Sequence, residues 1–120
     1  MARTLTPLAP AEFAAICARI DAGSADRADL KAATKHLLAL LQRKAPGHSV
    51  EVRIPPFAAI QCIEGASHTR GTPPAVVETD AQTWIALARG RLAWEGAPVR
   101  ASGERSDLSP LLPLVPDAAD

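Results

Sequence analysis

The residues most able to do chemistry lie in GASHTRGTPP, residues 65–74, a segment with the composition of a turn. Within it His68, Arg70 and the backbone of Gly71 and Thr72 could form a small anion site. Successive backbone N–H groups in a turn can make a concave anion-binding surface, and a carboxylate or phosphate head group would suit it. A solvated loop without a ligand is the alternative interpretation of the same residues.

Catalysis needs more than this segment offers. Glu64 and His68 are near each other in sequence, but no serine or cysteine has an identifiable base and orienting group. His36 and His48 lie elsewhere, and three scattered histidines do not predict a metal site. We therefore expect no catalytic residues, no metal and no cofactor.

Composition narrows the functional classes further. Thirteen basic and thirteen acidic side chains give zero formal net charge, which argues against a general nucleic-acid binder. The length favours one domain over residues 1–120, with 1–9 and 116–120 as loose tails. Cys17 and Cys62 lack metal-ligand or CxxC spacing and are expected to be reduced, buried thiols.

The start of the chain and its apolar runs bear on its location. MARTLTPLAPAEF has no apolar signal region, and no run approaches the ~20 apolar residues that a membrane span needs. The expectation is a soluble cytoplasmic protein.

Two amphipathic helices are predicted before any strand. Pro10 suits a first helical turn, and apolar residues then recur at i, i+3, i+4 and i+7 over 10–22. A second helix over 26–44 repeats the pattern and stops at Pro46. The apolar faces are Phe13, Ile16, Cys17 and Ile20 in the first helix, and Leu30, Thr34, Leu37, Leu38 and Leu41, widened by Leu40, in the second.

The hydrophobic period then changes from 3.6 to 2. SVEVRIP alternates from Val50 to Ile54, which predicts a half-buried strand. FAAIQCIEG predicts a second strand, joined to the first in a hairpin through Pro55 and Pro56. Because both faces of this second strand are mostly apolar, we expect it to be central and covered on both sides. AVVET predicts a third strand.

A short capped helix follows the third strand. Thr79 or Asp80 caps it, and Gly90 ends it, so the predicted span is 80–89. RLAW is short and apolar, VRAS predicts a short strand, and a brief helix is expected over 107–112. The order indicates an α+β fold: an antiparallel-rich sheet of four to five strands covered by helices, with two helices N-terminal to the sheet.

These segments resemble a known family. VVETDAQTWIALARGRL and VRASGERSDLSPLLPL are similar to the C-terminal half of sterol carrier protein-like domains. VEVRIPPFAAIQCIEG and HTRGTPPAVVETD resemble the small bacterial branch, in which two helices precede the sheet. The resemblance spans roughly residues 10–115, and its most distinctive part runs from His68 to Asp80. AWEGAP departs from the pattern, since it is short for the extra helical turn that family members usually carry there.

The resemblance implies a five-stranded sheet with helices on one side, enclosing an apolar tunnel. Since the sequence predicts four clear strands, the fifth would be very short, and RLAW is the candidate for it. It also implies non-catalytic binding and transfer of a fatty acid, a sterol-like lipid or acyl-CoA. The expected partner is thus a lipid or fatty-acyl ligand, with transient contact to a membrane surface, no nucleic acid and no assigned protein partner.

Candidate lipid-binding residues follow from this resemblance and from the apolar pattern. Trp84, Leu87 and Ala88 share one face of the short helix, and Trp94 follows within ten residues. The full candidate set is Trp84, Leu87, Ala88, Trp94, Phe57, Ile60, Leu111 and Leu112. An ordinary dry core would use the same residues. Two other functions stay open: an accessory or interaction domain with a filled cavity, and a small enzyme using the loop from His68 to Asp80.

Overall fold

The computed structural model describes residues 4–65, 75–103 and 106–115. Over these ranges the chain forms three α-helices, four β-strands and one short 3₁₀ helix, and two of the helices precede the sheet. The elements are α1 (Pro10–Asp21), α2 (Arg27–Lys44), β1 (Val50–Ile54), β2 (Ala58–Cys62), β3 (Ala75–Glu78), α3 (Ala81–Ala88), β4 (Arg100–Ser102) and the 3₁₀ helix (Ser109–Leu111). The predicted α+β class is confirmed.

Local capping explains where α2 and α3 begin. The Asp26 carboxylate accepts the Asp29 N–H at 2.9 Å, and the Asp29 carboxylate accepts the Asp26 N–H at 3.3 Å, which forms a capping box. At α3 the Asp80 carboxylate accepts the Thr83 N–H at 2.8 Å. Asp80 is therefore the cap. The alternative, Thr79, donates its hydroxyl to the Pro98 carbonyl instead.

The sheet has the strand order β2-β1-β3-β4. β1 and β2 form the predicted antiparallel hairpin, with Val50 opposite Cys62. β1 and β3 pair in parallel, whereas β3 and β4 are antiparallel. The sheet is thus mixed but mostly antiparallel.

The predicted central position of β2 is wrong, because β2 lies at the edge of the sheet. Its Ile60 and Cys62 are fully buried on one face, while Ala59 on the other face is exposed. The sequence pattern is apolar on both faces of β2 because alanine counts as an apolar residue. The small alanine side chain can nevertheless remain exposed to solvent at little cost. Ile63, the other apolar residue that suggested a second covered face, lies beyond the end of the strand.

The helices cover one face of the sheet, and α2 is their central member. It packs against α1, α3 and β2. The larger fully buried apolar side chains of this core come from α2, the three paired strands β1 to β3, α3 and the C-terminal segment: Leu37, Leu38, Leu41, Val50, Val52, Ile54, Ile60, Cys62, Val77, Trp84 and Leu108. The opposite sheet face is polar, with an ion pair between Arg53 and Glu51 at 3.1 Å. Burial on one face therefore follows the alternation read from the sequence.

The N-terminal segment before α1 lies on α2. The Leu5 N–H donates to Gln42 Oε1 at 3.0 Å, and the Leu8 N–H donates to His36 Nδ1 at 2.9 Å. The His36 ring also stacks on Phe13 of α1, with 4.0 Å between ring centroids. One face of α2 is therefore covered by both the segment and α1.

Two predicted C-terminal elements differ from the structure. RLAW forms no strand, since residues 91–94 are irregular and Arg91 to Ala93 are exposed. The predicted helix over 107–112 is a single 3₁₀ turn, Ser109–Leu111, after Asp107 accepts the Ser109 N–H. Gly90, in the left-handed region with φ +76°, follows the last turn of α3 and ends the helix.

A close backbone approach joins the α2–β1 connection to the end of β2. Ile63 adopts φ +66°, which is strained for a β-branched residue, and its N–H donates to the Ala45 carbonyl at 2.6 Å. The Ser49 hydroxyl and N–H both donate to the Ile63 carbonyl. A Cβ at Gly47 would collide with the Ile63 backbone, so only glycine fits there.

Candidate functional site

Trp84 lies in the hydrophobic core between α3 and α2. It is 1 % exposed, and its indole N–H donates to the Thr34 carbonyl at 3.3 Å. Ala88 and Ile60, two further candidate residues, are fully buried and belong to the same core. The structure thus surrounds these three side chains with protein atoms.

A cavity of about 360 Å³ lies beside the C-terminal end of α3; we call it the C-terminal cavity. It lies between α3, the segment after Gly90 and the segment around the 3₁₀ helix. It joins three of the candidate residues, Leu87, Trp94 and Leu112, and Trp84 is not part of its wall. The remaining lining residues are Gly90, Arg91, Leu92, Ala93, Glu95, Ser109 and Pro113.

Backbone contacts hold the far wall of the C-terminal cavity in place. The Ala88 carbonyl accepts the N–H groups of Leu114 at 2.8 Å and Val115 at 3.3 Å. Pro113 packs so closely on Gly90 that a Cβ there would lie 3.2 Å from the Pro113 side chain. Leu111, a candidate residue that packs on the core, accepts a hydrogen bond from the Lys44 ammonium through its carbonyl.

A second cavity of about 380 Å³ lies between α1 and α3; we call it the α1–α3 cavity. Its apolar wall includes Ile20, Leu30 and Ile85, and Arg89 and Arg91 lie at its charged side. The other lining residues are Asp21, Gly23, Ala25, Gln82 and Ala86. Sequence reasoning did not find this cavity, because its walls come from segments far apart in the chain.

Two arginines converge on one carboxylate in the α1–α3 cavity. Arg89 donates to the two Asp21 oxygens at 3.0 and 3.1 Å, and Arg91 donates to them at 3.1 and 3.4 Å. The Arg89 side chain is only 5 % exposed, whereas Asp21 is 36 % exposed. The hydrogen bond from Arg89 lowers the pKa of Asp21, so the carboxylate stays ionised at neutral pH.

Titratable groups elsewhere are set in their neutral forms. Of the two cysteines expected to be buried, Cys62 is buried and Cys17 is only partly buried, because Cys17 lies at the margin of the buried face of α1. Burial raises the pKa of the Cys62 thiol to about 12 and also raises the pKa of Cys17. Burial lowers the pKa of His36, whose Nδ1 accepts the Leu8 N–H. A thiolate, not a thiol, is the nucleophile in cysteine chemistry, so neither cysteine is activated in this environment.

The other predicted site residues fall outside both cavities or outside the described structure. Phe57 lies under the Arg27 guanidinium, 5.1 Å from ring centroid to Cζ. The candidate anion-binding residues His68, Arg70, Gly71 and Thr72 lie outside the described residues. In the described ranges, no group of three or more His, Cys, Asp or Glu side chains could hold a metal ion. No helix in those ranges is long and apolar enough to cross a membrane.

The fold and its cavities define an α+β domain with helices on one sheet face and two ligand-sized spaces beside α3. Residues 26–114 match the family model described as bacterial SCP ortholog, where SCP is sterol carrier protein. Because the match covers more than half of the chain, the protein belongs to this sterol carrier protein-like family. A comparison with curated proteins found no match. The N-terminal segment and α1 lie outside the matched region.

Proposed function

We propose that this protein is a non-catalytic lipid-binding and transfer module. Its ligand is a fatty acid, a sterol-like lipid or an acyl-CoA, held with its apolar part in the C-terminal cavity. The cavity itself carries the proposal, since it joins Leu87, Trp94 and Leu112 in a space of about 360 Å³. That volume lies within the ~300–1,000 Å³ of small-molecule sites. Membership of a sterol carrier protein-like family supports a lipid as the ligand.

Burial of an acyl chain supplies enough free energy for such binding. Each methylene removed from water contributes about 0.8 kcal/mol. Complete burial of about a dozen methylenes would give on the order of 10 kcal/mol before the costs of ordering ligand and protein are subtracted, and the C-terminal cavity, which is partly open to solvent, recovers a fraction of it. The C-terminal cavity offers mainly apolar side chains to a ligand, and the partly buried ones among them are Trp94 and Leu112.

The wider setting is proposed together with the ligand. We place the protein in the cytoplasm, with transient contact to a membrane surface during lipid exchange and without nucleic-acid binding. Zero net charge supports the absence of nucleic-acid binding. A non-catalytic role agrees with the buried, protonated Cys62 thiol.

The test is titration of delipidated protein with a fluorescent fatty acid. Two exposed alanines give a matched pair of variants: Ala93 lines the C-terminal cavity, and Ala59 lies on the open face of β2. We expect saturable binding with a negative heat-capacity change, weakened at least about tenfold by Ala93→Phe and unchanged by Ala59→Phe. Absence of saturable binding, or equal affinity of the two variants, would overturn the proposed function.

A second function has one specific observation in its favour. Trp84, Ala88 and Ile60, three of the candidate lipid-binding residues, are packed into a single core. An accessory or protein-interaction domain that keeps the family fold with a filled core would show this packing. It predicts that Ala93→Phe and Ala59→Phe behave alike because neither position contacts a ligand.

A further inference from the structure

The N-terminal segment, residues 4–9, lies on α2 and is held there in part by the ring of His36. We propose that this segment is a pH-sensitive strap: protonation of His36 at Nδ1 releases it from α2, while α2 and the sheet stay folded. The response belongs to the free protein and needs no bound lipid. Residues 4–9 precede the matched family region, 26–114, whereas His36 lies within it.

The hydrogen bond from Leu8 fixes where the His36 ring carries its proton. The Leu8 N–H donates to His36 Nδ1 at 2.9 Å. A backbone N–H can only donate, so Nδ1 is unprotonated and the proton of the neutral ring is on Nε2. A charged ring carries protons on both nitrogens, which would place two N–H groups against each other. The closed segment and a charged His36 therefore exclude one another.

The rest of the N-terminal segment is lightly attached, whereas α1 has contacts of its own. The Leu5 N–H donates to Gln42 Oε1 at 3.0 Å, and the side chains of Leu5 and Leu8 are only partly buried against the core. In α1 the Arg19 guanidinium donates to both oxygens of Asp29 in α2, at 2.8 and 2.9 Å. Segments with few buried contacts open at a lower free energy than the elements they cover. The segment can therefore open while the helices stay in place.

The groups packed around His36 supply no negative charge that would hold a protonated ring. The N-terminal segment has no ionisable side chain. In α1, Glu12 precedes the stacked Phe13 and is exposed, while Cys17, one turn further, has a pKa raised by burial. In α2 the adjacent Lys35 has the same sign of charge as a protonated ring. Burial is the cause of the lowered pKa of His36, and no charge in the described residues contributes to it.

The coupling between release and protonation has a fixed sign. In the closed form His36 is 6 % exposed and its pKa lies below 6.5, whereas release uncovers Nδ1 and lets the ring take up a proton. The open form therefore binds more protons than the closed form below pH 6.5. Because one proton is involved, each pH unit favours release by up to about tenfold until the pKa of the closed form is reached. Above pH 6.5 the ring is neutral in both forms and release no longer depends on its titration.

The experiment is amide hydrogen exchange by NMR on the full chain, with rates converted to protection factors to remove the intrinsic pH dependence of exchange. We expect the protection factors of Leu5 and Leu8 to fall by up to about tenfold per pH unit below pH 6.5. Leu38, inside α2, should stay at least about a hundredfold better protected at every pH. Equal protection of Leu8 and Leu38 would overturn the strap, since the segment would then open only with the whole domain.

Two substitutions at position 36 and position 48 separate the latch from a general effect of acid. His36→Asn places an amide oxygen near the position of Nδ1, so it keeps an acceptor for the Leu8 N–H but takes up no proton. We expect protection of Leu8 that no longer varies with pH in His36→Asn. His48 is exposed in the α2–β1 connection, so His48→Asn should behave like the unchanged protein. An unaltered pH dependence in His36→Asn would overturn the proposal.

The Leu8 N–H provides a second test that does not alter the ring. Leu8→Pro removes the donor, and Leu8→Ala is the matched control because it keeps the N–H. In NMR titrations of the ring protons, Leu8→Pro should raise the pKa of His36 toward 6.5, and by more than Leu8→Ala does. An equal pKa in the two variants would show that this hydrogen bond does not oppose protonation and would overturn the proposal. If circular dichroism shows that His36→Asn is unfolded, these titrations decide the outcome.

Discussion

Substitution of Trp84 tests directly whether this residue belongs to a dry core or to a ligand cavity. The side chain is 1 % exposed and donates to the Thr34 carbonyl. Truncation of a fully buried tryptophan to alanine typically lowers the free energy of unfolding by about 3–5 kcal/mol, through lost transfer energy and the void that remains. Trp84→Phe keeps part of the ring but loses the hydrogen bond, worth about 0.5–1.5 kcal/mol, and leaves a smaller void. We therefore expect Trp84→Phe to cost about 1–3 kcal/mol.

Urea denaturation followed by far-ultraviolet circular dichroism measures this loss without depending on tryptophan fluorescence. Trp94→Phe is the matched control, because Trp94 is only partly buried and lines the C-terminal cavity. It should lower the free energy of unfolding by less than about 1 kcal/mol and weaken fatty-acid binding instead. If Trp84→Phe cost less than about 0.5 kcal/mol and shifted fatty-acid affinity, Trp84 would line a ligand cavity and the packing described here would be refuted.

Three further predictions concern buried or crowded positions. The Thr34 hydroxyl is buried without a hydrogen-bond partner in the described residues. In urea denaturation Thr34→Val should therefore raise the free energy of unfolding by about 1–2 kcal/mol, whereas Thr34→Ser should lower it. A lower free energy of unfolding in Thr34→Val would show that the hydroxyl has a partner. His36 has a pKa below the 6.5 of the unfolded chain, so the folded state binds fewer protons and stability should fall as pH drops below about 6.5. His36→Gln should remove this contribution from unfolding curves between pH 7 and pH 5, and an unchanged pH dependence would contradict it. Gly47→Ala should lower the melting temperature by several degrees, because a methyl group collides with the Ile63 backbone, and an unchanged melting temperature would refute that contact.

The helices could be predicted closely because their signals are local. Capping chemistry at Asp26 and Asp80 and the repeat of apolar residues set the starts and buried faces of α2 and α3. The strands β1 and β2 and their hairpin were readable for the same reason. The strand order could not be predicted from the sequence, because β3 pairs with β1 across a long connection. The local alternation of β2 also carries no information on which strand lies beside it.

The candidate site was readable only in part. Spacing at i, i+3 and i+4 places Trp84 and Leu87 on a buried face, but burial against protein and burial against a ligand produce the same pattern. The pair of Asp21 and Arg89 is separated by 68 positions and leaves no local trace. Basic residues just beyond the C-terminus of a helix are usually explained by the helix dipole, so Arg89 and Arg91 carry no local signal of their contact with Asp21.

The short helix α3 explains why one segment can serve two different cavities and the core at once. Successive residues turn by about 100° around a helix, so Trp84 points into the core, Leu87 lines the C-terminal cavity and Ala86 lines the α1–α3 cavity. Arg91, just beyond the helix, lines both cavities. A substitution at Arg91 alone therefore cannot tell which cavity a lipid occupies. Substitutions at Ala86 and at Ala93 can distinguish the two cavities, because each residue lines one cavity and neither substitution removes a charge.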